Sequence, residues 1–258
     1  MEVQIHYELA ALTFMLAATL VFFRQRHLRV YRSSLFFWLM VLGVVTAACD
    51  VFCGITDLKQ IPFTAGIVAH TLLFIASLVY SVVYSMYAME LLHRLDYIRD
   101  RKVLWCIPFV IGIILIMTTP FTGVLYTYDE QGMYHRGLGF YSIALITLLY
   151  VMVPWILMRR VSFVPQKTKR WIIAIPVAVV TARILQYVFF PRYLFAYAVN
   201  SVVLFCCYLF LQNSDYYMDE VTGFFKMHGF EETVREKMVY KEECSVLILR
   251  IINYNAMT

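Results

Sequence analysis

Seven stretches of the chain are apolar over close to the length a helix needs to cross a bilayer. They lie at 6–23, 34–54, 63–90, 103–122, 139–160, 171–190 and 194–211. Crossing about 30 Å of hydrocarbon takes about 20 such residues. Inside hydrocarbon every backbone N–H and C=O must find a protein partner, and a helix satisfies them within one segment. Composition agrees. The chain is 62% apolar and 15% charged, with a mean hydropathy of +0.71. A water-soluble domain carries more charge than this, and a disordered chain lacks so many large apolar residues. The expected fold is an all-α membrane protein, a seven-transmembrane helix bundle, with the lipid bilayer as its first partner. The division between the last two stretches rests on Phe190-Pro191-Arg192-Tyr193, where Pro191 stops a helix and Arg192 prefers water. The third stretch exceeds the bilayer, and its charged end from Glu90 to Lys102 reads as helix continuing into water.

Charge sets the expected orientation. A cleavable leader carries positive charge ahead of its apolar stretch. Met1 to Tyr7 hold no Lys or Arg, and the positives follow at Arg24, Arg26, Arg29 and Arg32. The first stretch therefore reads as a retained helix with its N-terminus outside. The loops at 24–33, 91–102 and 159–170 hold four, four and five Lys or Arg, against Lys59, Arg136 and Arg192 on the other side. The excess of positive charge marks the cytoplasmic side and puts the C-terminus there. Residues 1–212 carry 17 basic and 9 acidic residues, +8, and residues 213–258 carry 5 and 8, −3. Loops facing anionic headgroups account for the basic excess, so no nucleic-acid partner is expected. The expected organisation is a sensor or receptor domain at 1–212 and a cytoplasmic connector with a partial α/β tail at 213–258. The six cysteines form no spaced set, so neither a disulfide framework nor a zinc site is expected. Cys206-Cys207 reads as lipid-facing bulk.

Polar residues within apolar stretches face the bundle interior by default, because exposing them to lipid is expensive. Four stand out: Asp50, His70, Arg183 and Asn200. Counting along each helix puts all four about 6–12 Å beneath the outer surface, in one layer. Thr46 and Gly43 precede Asp50 by helical turns, a small-residue stripe that suits close packing. Gly66 precedes His70, and Ser77, Ser81 and Ser85 follow it. Gln186 and Tyr187 lie one turn beyond Arg183. Two readings stay open. In one, Asp50 and Arg183 form a buried ion pair while His70 and Asn200 bond across helices to hold the bundle. In the other, Arg183, Asp50, His70, Asn200, Gln186 and Tyr187 line a ligand pocket open to the outside. Arg183 then receives an anionic group of an unknown small molecule.

Other chemistries find no support. A retinal protein needs a Schiff-base Lys in its last helix, and 194–211 holds none. His70 is the single deep His, which disfavours haem ligation, and no HExxH or GxxxxGK[ST] motif occurs. No catalytic residues, metal or cofactor are expected. A transporter with matched broken helices would show an internal repeat, and none is visible; Pro154 and Pro176 lie in neighbouring stretches.

After Leu211 the composition changes. A polar connector leads to Asp219-Glu220-Val221-Thr222-Gly223-Phe224-Phe225-Lys226-Met227-His228-Gly229-Phe230, then a helical stretch at 230–238 and an apolar strand-like run at 245–254. By pattern this is a turn, a helix and a buried strand of a mixed α/β domain. It resembles the opening of a GGDEF domain, the output module of bacterial cyclic-di-GMP signalling. Asp219, Val221, Thr222, Gly223, Phe224 and Phe230 match that family's D-x-L-T-G-L-x-N-R-x-x-F pattern or replace it with similar residues, and Tyr254 falls on its later aromatic position. The resemblance covers about forty residues. It departs at Lys226-Met227, which replace an N-R pair, and at Arg250 and Ile252, which replace the metal-binding D-x-D. Arg offers no lone pair to Mg²⁺. The resemblance therefore implies a degenerate, truncated module without catalytic activity. It further implies a bacterial cytoplasmic (inner) membrane location, a homodimer, and a sensor that signals through its last helix. A transporter with a regulatory tail and a non-sensing membrane anchor are the other classes.

Overall fold

The computed structural model describes residues 6–24, 34–59, 63–92, 94–129, 134–159, 161, 166–189 and 196–209, and beyond these Met227, Phe230, Glu231 and Val234. The chain divides into two units, 1–212 and 213–258. The tail motif at 219–226, the strand expected at 245–254 with Arg250 and Ile252, and the Pro191-Arg192 break all lie outside the described residues.

A helix occupies each of the seven apolar stretches. In chain order they are α1 (His6–Arg24), α2 (Ser34–Lys59), α3 (Phe63–Leu91), α5 (Lys102–Thr122), α6 (Phe140–Met158), α7 (Gln166–Val188) and α8 (Ala196–Cys207). A short helix α4 (Leu95–Asp100) precedes α5, and a hairpin of β1 (Tyr126–Tyr128) and β2 (Tyr134–Arg136) follows it. Among the described residues, four helices are long and apolar enough to cross a membrane: α2, α3, α5 and α6. The expectation of seven spans is thus met in part, by four helices on this criterion. The apolar parts of α1 and α8 are shorter, Glu8–Phe23 and Ala196–Cys207. Twelve residues of α8 rise about 18 Å, less than the hydrocarbon core. α7 is not one of the four; it opens on Lys167, Lys169 and Arg170 and holds Arg183 near its end.

The expected continuous helix from Glu90 to Lys102 is broken. Arg94 and Arg101 both leave helical geometry, with φ/ψ of −127°/27° and −122°/35°. An unbroken helix would carry the chain away from the bundle, whereas these two breaks turn it back into α5. Arg101 holds its corner by donating to the Tyr97 hydroxyl at 2.7 Å.

α3 is the centre of the bundle. It packs on α2, α5 and α6; α1 lies against α2 and α8, and α7 against α6 and α8. One apolar cluster fills the end that carries the basic loops, where Phe22, Phe36, Met40, Tyr87, Ile172 and Tyr208 meet. Cys207 is buried in the same cluster, which corrects its reading as lipid-facing. Gly43 lets neighbouring helices approach α2 closely. A Cβ there would stand 2.6 Å from Met15 Cε and 3.1 Å from Leu204 Cδ1, so α1, α2 and α8 meet where α2 has no side chain. A second apolar cluster joins α3, α5 and α6 through Phe74, Leu78, Ile116, Ile143, Ile146 and Tyr150.

The hairpin caps this second cluster. Gly123 ends α5 in the left-handed conformation, φ 66°, and donates its N–H to Thr119 O at 2.8 Å; this is the common glycine termination of a helix. The strands pair antiparallel, Tyr126 with Arg136, Thr127 with His135 and Tyr128 with Tyr134. Gly137 and Gly139 then bond Leu125 O and Val124 O at 2.8 and 2.9 Å. Tyr126 and Tyr128 alternate with Thr127, so both rings turn toward α3, where Tyr126 is fully buried.

Candidate functional site

Two polar clusters lie on α3, and the residues singled out in the sequence divide between them. The first joins α3 to the hairpin. His70, 5% exposed, holds Nδ1 3.1 Å from Gly66 O and 2.7 Å from the Tyr128 hydroxyl. One Nδ1 hydrogen cannot serve both contacts: Nδ1 donates to the carbonyl in one tautomer and accepts from the Tyr128 hydroxyl in the other. The imidazole stacks on Tyr134 at 4.3 Å between centroids and 16° between planes. One turn on, Tyr126 donates to Ile67 O at 3.0 Å. Its single hydrogen is thereby used, so Thr71 Oγ1 at 2.7 Å donates to it. Gly66 makes room for this contact, because a Cβ there would stand 2.7 Å from the Tyr128 hydroxyl.

The second cluster is built from α1, α2, α3, α7 and α8. Glu8 of α1 is completely buried. Its carboxyl interacts with Asp50 of α2, Arg183 of α7 and the backbone of Tyr197 in α8. Arg183 lies 4.9 Å over the ring of Tyr197 in α8, a cation–π contact. The Tyr197 hydroxyl meets Ser77 Oγ at 3.1 Å, and Asp50 acts on the same tyrosine. One turn further along α8, Asn200 Oδ1 accepts from the Tyr80 hydroxyl at 2.9 Å. Gln186 does a different task. Its Oε1 accepts from the backbone N–H of Ala196 at 2.8 Å, satisfying an orphan donor at the start of α8 and tying α7 to it. The side chain of Tyr187 lies outside the described residues.

Asp50, Arg183 and Asn200 thus share one neighbourhood. His70 is held by the hairpin tyrosines. Ser77 lies seven residues further along α3, about 10 Å by helical rise, and is where α3 meets Tyr197. Glu8, Tyr80, Ser77 and Tyr197 complete the charged cluster, and the sequence reading had not assigned Glu8, Tyr80 or Tyr197 to it. Two signals could have found them: an acid two residues inside the first apolar stretch, and a Tyr one turn before Asn200.

Two carboxyls, one guanidinium, two phenols and an amide can exchange protons, hold a charged partner, or switch between pairings. Among the described residues no three His, Cys, Asp or Glu are grouped so as to hold a metal ion. No family model, curated protein or solved structure matches this chain.

Proposed function

We propose that residues 1–212 are the sensory part of a bacterial inner-membrane receptor. In this reading all seven apolar helices cross the bilayer with the N-terminus outside. A small anionic molecule is perceived in the outer half and the signal passes through α8 to a cyclic-di-GMP-related output. The observation that carries the reading is the place of Arg183. It belongs to α7, yet rests on a ring of α8, the helix that leads into the tail, and shares its surroundings with two acids from α1 and α2. A ligand carboxylate or phosphate that drew the guanidinium away would release Tyr197 and leave Glu8 and Asp50 facing each other. The ligand then favours a second packing of α8 in proportion to its differential affinity for the two packings. Glu8, Asp50 and Arg183 are rare groups for a bilayer interior, which is where function is the first hypothesis.

The test is an intracellular cyclic-di-GMP reporter in cells expressing the full chain fused at its C-terminus to an active diguanylate cyclase, challenged with a panel of small carboxylates and phosphates. Replacing Asp50 and Arg183 together by Leu removes both charges and keeps an apolar surface. A sensor loses its response in that double variant while still reaching the membrane. An unchanged response in the double variant overturns the reading, and so does uptake of a panel member into proteoliposomes with no reporter change.

A further inference from the structure

Pro154 and Pro176 lie inside α6 and α7. Neither has an N–H, so the carbonyls four residues back, Tyr150 O and Ile172 O, lose their helical donors. α3 supplies replacements: Ser85 Oγ donates to Tyr150 O at 2.5 Å and the Tyr84 hydroxyl to Ile172 O at 3.2 Å. Consecutive side chains on a helix diverge by about 100°, so α3 holds α6 and α7 on different sides of itself. Between their outward faces lies a groove of about 200 Å³. Leu148, Met152 and Trp155 of α6 line one wall, and Ile173, Val177 and Val180 of α7 line the other. From Leu148 to Trp155 the helix rises about 10 Å. Over that length the volume corresponds to about 20 Å² in cross-section. This is the width of one hydrocarbon chain and too narrow for a helix about 10–12 Å across.

Both walls lead to one charged end. The row Leu148, Met152, Trp155 reaches Arg159 one turn further along α6, and the row Val180, Val177, Ile173 reaches Arg170 one turn further along α7. Only residues 159–165 separate the two helices, so both arginines stand at the same end. Both are exposed. Arg159 lies 5.6 Å over the ring of Trp155, which places its guanidinium at the mouth of the groove. Lys169 is engaged with the loop, where it donates to Val161 O. No Asp or Glu occurs between Glu130 and Asp215, so neither helix supplies a carboxylate to these cations. Trp favours the level where hydrocarbon meets headgroups, and basic pockets between helices at that level suit anionic headgroups.

We propose that this groove binds one anionic glycerophospholipid, with an acyl chain between α6 and α7 and the phosphate received by Arg159 and Arg170. A guanidinium pairs with phosphate through two parallel N–H···O bonds. A zwitterionic lipid offers the same chain, but its own cation repels the arginines, so the site selects by net charge. The site needs α6 and α7 to lie against lipid. It uses no residue of the two polar clusters on α3 and holds whether or not the chain senses small molecules.

Tryptophan fluorescence of the full chain in phosphatidylcholine vesicles tests this, with lipid brominated on its acyl chains as the quencher. Two arginines beside an anionic headgroup give a preference on the order of tenfold. Brominated phosphatidylglycerol should therefore reach half of its quenching at a mole fraction lower by that factor than brominated phosphatidylcholine. Trp155→Phe removes this high-affinity phase, because Trp155 lines the groove. Arg159→Gln together with Arg170→Gln keeps Trp155 and makes the two lipids equivalent. Far-UV circular dichroism equal to wild type shows that the variants are folded. Equal quenching by the two lipids in the wild type overturns the proposal without recourse to a variant. A preference that survives Trp155→Phe places the lipid elsewhere, and one that survives the double arginine variant removes the headgroup assignment. Quenching by both lipids that falls as more protein is packed into each vesicle gives the groove to a second copy of the chain instead.

Discussion

On its hairpin side α3 presents Ile67, His70 and Thr71 to three tyrosines, with Tyr126 and Tyr128 joined by hydrogen bonds of 2.7–3.0 Å and Tyr134 stacked on the imidazole. Toward α8 it presents Ser77 and Tyr80, which lead into a group of two acids and one arginine. Both regions are buried and both join elements far apart in sequence. The first holds the hairpin on α3 through hydroxyl and imidazole contacts. The second brings together charges of both signs, whose pairing a charged ligand would change. A clasp and the proposed switch thus sit on the same helix, and substitutions should affect them differently.

The largest effect belongs to Arg183→Leu. It removes the guanidinium that faces Glu8 and Asp50 and leaves a buried and a half-buried acid opposed. Breaking a fully buried pair costs about 3–5 kcal/mol, and the half-exposed positions of Asp50 and Arg183 bring the cost below that. We expect the variant to unfold at a markedly lower temperature in detergent, with recovery of most of the loss when Glu8→Gln and Asp50→Asn are added. The same additions to wild type should lower stability, because they then strand the guanidinium. If the triple variant is no more stable than Arg183→Leu alone, charge is not what governs this cluster, and the contrast with the hairpin side falls.

Tyr126→Phe comes next and tests the clasp. The hydroxyl gives one hydrogen bond to Ile67 O and receives another from Thr71. Its loss removes two hydrogen bonds and leaves the half-buried Thr71 hydroxyl and Ile67 O without that partner, at a cost of about 0.5–1.5 kcal/mol per bond. The ring and its stack on Phe74, at 5.9 Å and 5°, remain. Amide exchange should quicken across 123–139 and stay unchanged in α1 and α8. Protection lost equally at both ends of the bundle would show that clasp and switch are one cooperative unit.

Why one region was more legible than the other follows from what a sequence records. The helices were readable because apolar length is set by the bilayer, and the basic loops between them mark one side. Depth along a helix was also readable, and it grouped His70 with Asp50, Arg183 and Asn200. Lateral position was not. Nothing in the apolar stretches says that the hairpin lies over His70, since strands of three residues leave too short an alternation to stand out. Glu8 was overlooked because an acid near the start of an apolar stretch looks like an interfacial residue. Only the packing of α1 against α2 and α8 encloses it. Gln186 shows the reverse: it was chosen for its nearness to Arg183, yet its oxygen caps α8. The break between α3 and α4 was hidden because the charged residues from Glu90 to Lys102 suit a solvated helix as well as they suit two corners.

The smallest effect sharpens the comparison on the outside of the hairpin. His135 Nε2 and Asp129 Oδ2 stand 3.0 Å apart, with side chains 60% and 37% exposed. Geometry alone would rank this contact beside the buried ones. Exposure decides otherwise: water screens the pair, and ordering two surface side chains offsets most of the attraction, leaving about 0–1 kcal/mol. Asp129→Asn should therefore leave the unfolding temperature within error of wild type at low and high salt alike, while Tyr126→Phe lowers it in both. A drop for Asp129→Asn that vanishes in high salt would mean that surface charge helps hold the hairpin down. The division between a neutral clasp and a charged switch would then need a third component.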